Sequence, residues 1–391
     1  MFLQQACATM GRATVPIIAP AIVGDLGIDP ALVGLFVGTT AVAGLLTTLG
    51  CSGFILRYGA IRMTQVGMTA LALGLAAAAS GLLPLFAVGA LAVGLGSAVS
   101  TPSSSHLLVR YATPRQGPLV FSIKQTGVPL GLMLSGVLAP FLVVVVGWQG
   151  SLLAMAAICL AVGVPMQALR ARYDDDRNPA QPLSLLDVRT TVRDVLARPD
   201  LRMLGMAAFS FVGLQSVFSA FLVLYLVEGL GYGLAEAGTV FSVAMAGAVP
   251  ARIMWGWIAG RYVEARRLLA ILGVLMCGAA LLTAFLSTAW PIGAVMAVAV
   301  MLSGTAVSWH GVLIAEVARL SPPGRVGGMT GGVLAFGDAA ALVLPLVFSG
   351  LLVATGSYAA GFAVAALPPL ATAVYLTVRG KAAADRPSHG C

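Results

Sequence analysis

Twelve stretches of roughly twenty mostly apolar residues, parted by short polar links, run through this 391-residue chain. About 20 such residues are needed to cross a bilayer as a helix. Lipid offers the backbone no hydrogen bonds, so each crossing stretch must satisfy its own amides and carbonyls, and a helix does this within one segment. The stretches fall at 2–24, 32–55, 64–83, 86–108, 117–141, 150–169, 203–227, 234–258, 268–287, 291–315, 327–350 and 356–378. Hydrophobic residues make up 59% of the chain and charged residues only 9%. A soluble domain carries about 25% charge, so the solvent for this surface must be lipid. The expected fold is an all-α membrane protein with twelve transmembrane helices. The 47 glycines suit close helix packing in a bilayer.

The links hold Gly, Pro or charge, as at Asp29-Pro30, Pro114-Arg115 and Pro322-Pro323-Gly324. One link is long. Residues 170–202 hold Asp174-Asp175-Asp176 together with Arg170, Arg172, Arg177, Arg189, Arg193, Arg198 and Arg202. It reads as a polar, solvated central loop. The expected domains are a six-helix bundle over 1–169, the loop over 170–202, a second six-helix bundle over 203–378 and a tail over 379–391.

Orientation follows from the placement of Lys and Arg, which favour the cytoplasmic side. Arg57, Arg62, Arg110, Arg115, Arg261, Arg266, Arg267, Arg319 and Arg325 occupy alternate links, as does the central loop; Arg379, Lys381 and Arg386 lie in the tail. The intervening links 25–31, 142–149, 228–233 and 351–355 contain none. Both termini and the central loop are expected in the cytoplasm, with the protein multi-pass in the inner (plasma) membrane. Topology thus accounts for the net charge of +8, and nucleic acid is not an expected partner. The first stretch has no basic region before it and reads as a span, not a cleaved signal. Its abrupt beginning leaves the true start codon open. Cys7, Cys51, Cys159, Cys277 and Cys391 show no disulfide or metal-ligand spacing.

The two halves look alike. Arg57-Tyr58 followed by Arg62 returns as Arg261-Tyr262 followed by Arg266, 204 residues on. Arg115 precedes Gly127 by twelve positions, and Arg325 precedes Gly337 by the same twelve. Two pseudo-symmetric six-span repeats are an arrangement of transporters whose site lies at the midplane between the repeats.

Twelve spans, a 6+6 repeat, a long middle loop and the link between spans 2 and 3 resemble the major facilitator superfamily over nearly the whole chain. The superfamily's loop signature is Gly-x-x-x-Asp-Arg-x-Gly-Arg-Arg. This chain answers it with Ser52, Leu56, Arg57, Gly59 and Arg62. The acid is missing, and in the second half Gly260 holds its slot, between Gly256 and Arg261. The resemblance implies a cytoplasmic latch that this acid supports, and assigns gating to Arg57, Gly59, Arg62, Gly256 and Arg261. A weaker resemblance, to the anion:cation symporter branch, rests on Arg12 followed by Pro20, Asp25, Leu26 and Gly27. It implies that Arg12 grips a substrate anion. The branch's acid before this arginine is replaced by Gly11, and its span-4 carboxylate by Ser103, Ser104, Ser105 and His106.

Two cations, Arg12 and Lys124, sit deep in apolar stretches with one acid, Asp338. A charge at such depth costs about 2.5–3.5 kcal/mol even on the lenient insertion scale. The excess of positive charge points to a cavity that takes something negative. The implied fold lines its cavity with spans 1, 4, 7 and 10, flanked by 2, 5, 8 and 11. The expected substrate-binding set is Arg12, Lys124, Gln125, Gln215, Trp309 and His310, all on such spans. Three roles are open to Lys124: a second anion clamp, a titrating group, or an ion-pair partner of Asp338. The run Gly127-Val128-Pro129-Leu130-Gly131 after it lets a neighbouring helix approach closely. Asp338 suits proton binding or a structural salt bridge, and His310 a proton shuttle or a satisfied interhelical bond. Glu316 and Arg319 read as a local helix-end pair.

The reading is a secondary transporter of a small organic anion, a carboxylate first, coupled to protons or to a counter-substrate. The alternative is an efflux antiporter for drugs or metabolites. A membrane enzyme would need a nucleophile–base or metal constellation, and none stands out. Cofactors and metals are not expected, and the resemblance implies a monomer.

Overall fold

The computed structural model describes residues 1–28, 31–113, 115–181, 187–322 and 324–384. Asp29, Pro30, Pro114, Pro323, Arg386, His389 and Cys391 lie outside the described residues. Those residues that are described form helices and connections, with no strand among them. In chain order the helices are α1 (Phe2–Ile17), α2 (Ala19–Leu26), α3 (Ala31–Gly50), α4 (Ser52–Tyr58), α5 (Ala60–Ala79), α6 (Leu83–Ala98), α7 (Ser100–Tyr111), α8 (Gly117–Gln125), α9 (Gly127–Gly163), α10 (Gln167–Tyr173) and α11 (Asp187–Ala197). There follow α12 (Pro199–Leu224), α13 (Leu234–Arg261), α14 (Ala265–Ala284), α15 (Ile292–Ala306), α16 (His310–Leu320), α17 (Val326–Thr355), α18 (Tyr358–Ala365) and α19 (Leu367–Ala384).

Among the described residues, nine stretches are long and apolar enough to cross a membrane, or ten if the pair α3–α4, bent by 60°, counts as one. The longest, Gly117–Tyr173, contains Gly147 at φ 75° and ψ 171°, where one helix stops and another begins. A positive φ of this kind suits glycine because a Cβ would clash with the backbone. Large apolar side chains are left bare, Val144 at 87% and Val353 at 89% exposure. A water-soluble fold would bury such surface; lipid does not demand it.

The chain divides into two compact units. Unit 1 comprises Met1–Ala112, Lys124–Ala197 and Ser321–Ala335. Its core gathers Cys7, Met10 and Val15 of α1, Met68, Leu71 and Leu75 of α5, Ala90 and Val93 of α6, and Leu152, Met155 and Cys159 of α9. Helix α1 lies tightly on α9. A Cβ at Gly127 would come within 2.9 Å of the Phe2 carbonyl, and one at Gly131 within 2.9 Å of Thr9 Cβ. Backbone contact at this range is how small residues earn helix association in lipid.

Unit 2 comprises Thr113–Ile123, Arg198–Leu320 and Phe336–Cys391. Aromatic pairs are set into its largely aliphatic core. Phe211 meets Trp309 edge-on at 5.4 Å, and Phe221 stacks on Phe348 at 4.2 Å. Helix α12 ends in a π-helical turn, Tyr225–Gly229, where the Tyr225 hydroxyl donates to the Leu286 carbonyl at 3.1 Å.

In the central segment Asp175 and Asp176 are exposed, as a solvated loop would have them, while Asp174 is buried. Asp174 is 4% exposed, and its carboxylate accepts from the Ile61 amide at 2.8 Å and the Arg62 amide at 3.0 Å. It thereby caps the first turn of α5, whose free N–H groups have no partner within the helix. Asp175 and Asp176 both meet Arg110, at 2.7 and 2.9 Å, and Asp176 also lies 2.8 Å from His106 Nε2. The three acids meet the ends of α5 and α7, where unpaired helix amides and an exposed arginine compete with water for carboxylates. The expected pair of Glu316 and Arg319 is present, with Arg319 Nε 2.8 Å from Glu316 Oε2.

Candidate functional site

In unit 1 the deep lysine is held by amides. Lys124 lies in the last turn of α8 and is 4% exposed. Its Nζ donates to Gln5 Oε1 at 2.5 Å and to Gln125 Oε1 at 3.0 Å. Gln5 Oε1 also accepts from Ser100 Oγ at 2.8 Å and Thr101 Oγ1 at 3.3 Å, and Gln4 Nε2 donates to Ser100 at 2.7 Å. A chain of neutral dipoles thus runs from α8 through α1 to α7. Arg12 follows Gln5 by seven residues, two helical turns, so both lie on one face of α1, about 10 Å apart along the axis. Its side chain is exposed, while the preceding Gly11 is buried against Leu71 and Cys159. Arg12, Gln5, Lys124 and Gln125 therefore belong to one polar face of unit 1.

In unit 2 a single span is broken. Helix α15 ends at Ala306 and α16 begins at His310. The carbonyls released at this break are taken up by α13: Arg252 donates to Val307 O, and Trp255 Nε1 to Gly304 O at 2.8 Å. Ser308 Oγ returns a bond to Ala248 O at 3.0 Å. Irregular backbone at membrane depth is tolerated only where protein satisfies it. The break presents His310 as the first residue of α16, half-buried and stacked on Trp309 at 3.9 Å between ring centres. Gln215 on α12 is half-buried, and its Oε1 has no hydrogen-bond partner among the described residues. Asp338 on α17 is half-buried, beside Gly337, where a Cβ would approach Val212 to 2.6 Å.

A family model described as Major Facilitator Superfamily matches residues 1–316. The chain belongs to the Major Facilitator Superfamily. Among solved members of the fold, the E. coli fucose:proton symporter aligns with a TM-score of 0.75 at 14% identity, covering 97% of this chain and 98% of that one. The human organic anion transporter TETRAN aligns at 0.76 and 15% identity, covering 96% and 97%. A bacterial homologue of the iron transporter ferroportin, in an outward-facing state, aligns at 0.74 and 16%, covering 98% of each chain. No curated protein matches the sequence. The superfamily's members are transporters, and this chain is a multi-pass superfamily transporter.

The superfamily's loop signature is built here from two parts of the chain. Gly59 sits at φ +95°, and the Asp174 carboxylate occupies the place its Cβ would need. Arg57 donates to the Gln181 carbonyl at 3.2 Å, and the Asn178 amide to Leu56 O at 2.8 Å. The Arg62 side chain is exposed; its backbone amide is what Asp174 takes. Burial pushes the Asp174 carboxyl above its ordinary value, against the pull of the two amides. The exposed Asp175 is held below its own by the hydrogen bond from Arg110. In the second half, Gly256 lies against Ser122 and the Pro118 carbonyl, and the Arg261 guanidinium lies 5.7 Å over the Tyr262 ring.

Three groups escaped the sequence reading. Gln4 and Gln5 are consecutive amides inside an apolar stretch, a signal as strong as an isolated charge. Arg252 is a third deep cation, 1% exposed, inside the interval 234–258. Asp174 could not have been placed from sequence, because its partners lie 112 and 113 positions away.

Proposed function

We propose that this superfamily transporter carries a small organic anion, a carboxylate first, by alternating access and coupled to protons or to a counter-substrate. One observation carries the reading: two cations, Lys124 and Arg12, share one face of unit 1, with Lys124 Nζ donating to the amide oxygens of Gln5 and Gln125. Arg12 supplies a planar fork that matches a carboxylate with two parallel hydrogen bonds. Lys124 supplies a compact charge, and Gln125 and Gln5 orient it. Gln215, Trp309 and His310 complete the proposed substrate-binding set, with proton coupling at Asp338 or His310. Gating falls to the loop residues Arg57, Gly59, Arg62, Gly256 and Arg261.

The solved neighbours include a proton symporter of fucose and an organic anion transporter. At their level of identity they speak for the fold, so the anion reading rests on the cations. The further reading places the protein in the inner membrane as a monomer. It has twelve spans in bundles 1–169 and 203–378, a loop 170–202 and a tail 379–391, with both termini cytoplasmic. The twelve follow if α1–α2 and α3–α4 are each one span and Gly147 parts spans 5 and 6.

The test is thermal stability of the purified protein against carboxylates, phosphates, sugars and lipophilic cations. A ligand at 100 times its dissociation constant stabilises by about 2.7 kcal/mol. A shift with one class of organic anion, lost in Arg12→Ala, supports the reading. Shifts with lipophilic cations alone would replace it with the exporter reading.

A further inference from the structure

The loop signature lacks its acid, yet the place that acid would occupy is not idle. Leu56 stands in the slot, and its Cδ2 lies 4.0 Å from where a Cβ on Gly324 would be. Gly324 adjoins Arg325, at the head of α17. An acid at position 56 would therefore stand near the N-terminus of a 30-residue helix, whose preceding residue is Arg325. Arg325 finds its carboxylate elsewhere: Asp194 of α11, 2.6 Å away.

The surroundings of this pair are built for a contact that can open. Within unit 1 the head of α17 presents four glycines, and each faces another element. Gly327 lies by Pro102 and His106 of α7, with Cβ distances of 3.3 and 3.6 Å. Gly328 lies on Ser52 of α4, with Ser52 Cβ at 2.8 Å, and Gly331 on the Thr48 carbonyl of α3. Gly332 lies under Thr191 and Val195 of α11, at 2.7 and 2.8 Å. Thr191 and Val195 are one turn apart on α11, 2% and 0% exposed, and Asp194 sits beside them at the edge. Glycine surfaces allow backbone approach without interlocked side chains. Separating them requires no rotamer to change and leaves no cavity of side-chain size. What fixes the register is then the ion pair at the rim, half-exposed and easily rehydrated (46% for Arg325 and 34% for Asp194).

We propose that Asp194 and Arg325 are the gating ion pair of this transporter's cycle, with the acid moved from the loop signature to α11. Helix α11 is the bolt. It closes over the head of α17 when the pair is made and releases it when the pair breaks. The proposal rests on membership of the superfamily and not on the anion reading.

The test needs no substrate. With Cys51→Ser in place, the thiol introduced by Ser52→Cys reports access to the α4–α17 contact through its rate of reaction with a maleimide. Buried Cys7, Cys159 and Cys277 report general loosening. Asp194→Asn and Arg325→Gln are each expected to speed the reporter about two- to fivefold, the range an exposed ion pair carries. Thermal stability and the buried thiols should hold steady. Exchanging the charges, Asp194→Arg with Arg325→Asp, should return the reporter to the parent rate. Leu56→Asp added to Asp194→Asn should do the same by restoring the acid to the signature's slot, a rescue that a merely structural surface pair would not give. An unchanged reporter in the single variants overturns the proposal. So does acceleration matched by the buried thiols, or failure of both rescues.

Discussion

Asp174 is the residue whose chemistry departs furthest from its local sequence. Its carboxyl is raised by burial and drawn back by two backbone amides. A raised folded pKa favours the neutral acid, so Asp174's contribution to stability declines as pH climbs from the ordinary carboxylate value through the raised one. Asp174→Asn mimics the neutral form at every pH. Its melting temperature relative to the parent is expected to rise as pH climbs above the ordinary carboxylate value; a flat difference would mean that burial is not what governs this group. Gly59 is bound to the same arrangement. Gly59→Ala places a Cβ at positive φ and into the Asp174 carboxylate, and should cost about 1–3 kcal/mol in thermal unfolding. Arg12 tests the anion reading. Arg12→Lys keeps the charge and loses the fork, so the binding of a responsive anion should fall about tenfold or more while the protein stays folded. Unchanged affinity would remove Arg12 from the site.

Among the helices, the broken pair α15–α16 is the element with most at stake. Arg252 and Trp255 from α13 take carbonyls that a continuous helix would have used itself. Arg252→Met leaves Val307 O in an apolar setting without this donor. The expected loss is about 1–3 kcal/mol in thermal unfolding. Faster amide exchange should be confined to 303–313, where the break holds Trp309 and His310. Exchange rising evenly through unit 2 would instead make Arg252 a general packing residue. A run of apolar letters shows where a span lies but not where it is interrupted. Neither Val307 nor Ser308 is a helix breaker, and the interruption exists because α13 can satisfy it.

For the whole molecule, the alternation of basic and neutral links predicts orientation. A fluorescent protein fused after residue 391 should fluoresce, and alkaline phosphatase fused in the 142–149 link should be active. The reverse pattern would invert the proposed topology. Neither test depends on the substrate.

Fold class was legible in the sequence because lipid imposes one rule on every stretch of about twenty apolar residues, and that rule acts locally. Charges inside apolar stretches, at Arg12, Lys124 and Asp338, were legible for the same reason: each carries its cost with it. Partnership was not. Gln5 meets Lys124 across 119 positions and Asp174 meets Ile61 across 113, and no pattern of neighbours encodes such pairs. A buried hydrogen bond is chosen by whichever donor and acceptor the packed helices bring within reach. The acid missing from the loop between spans 2 and 3 is therefore a gap in the sequence alone. In the folded protein, α11 sets Asp194 against Arg325.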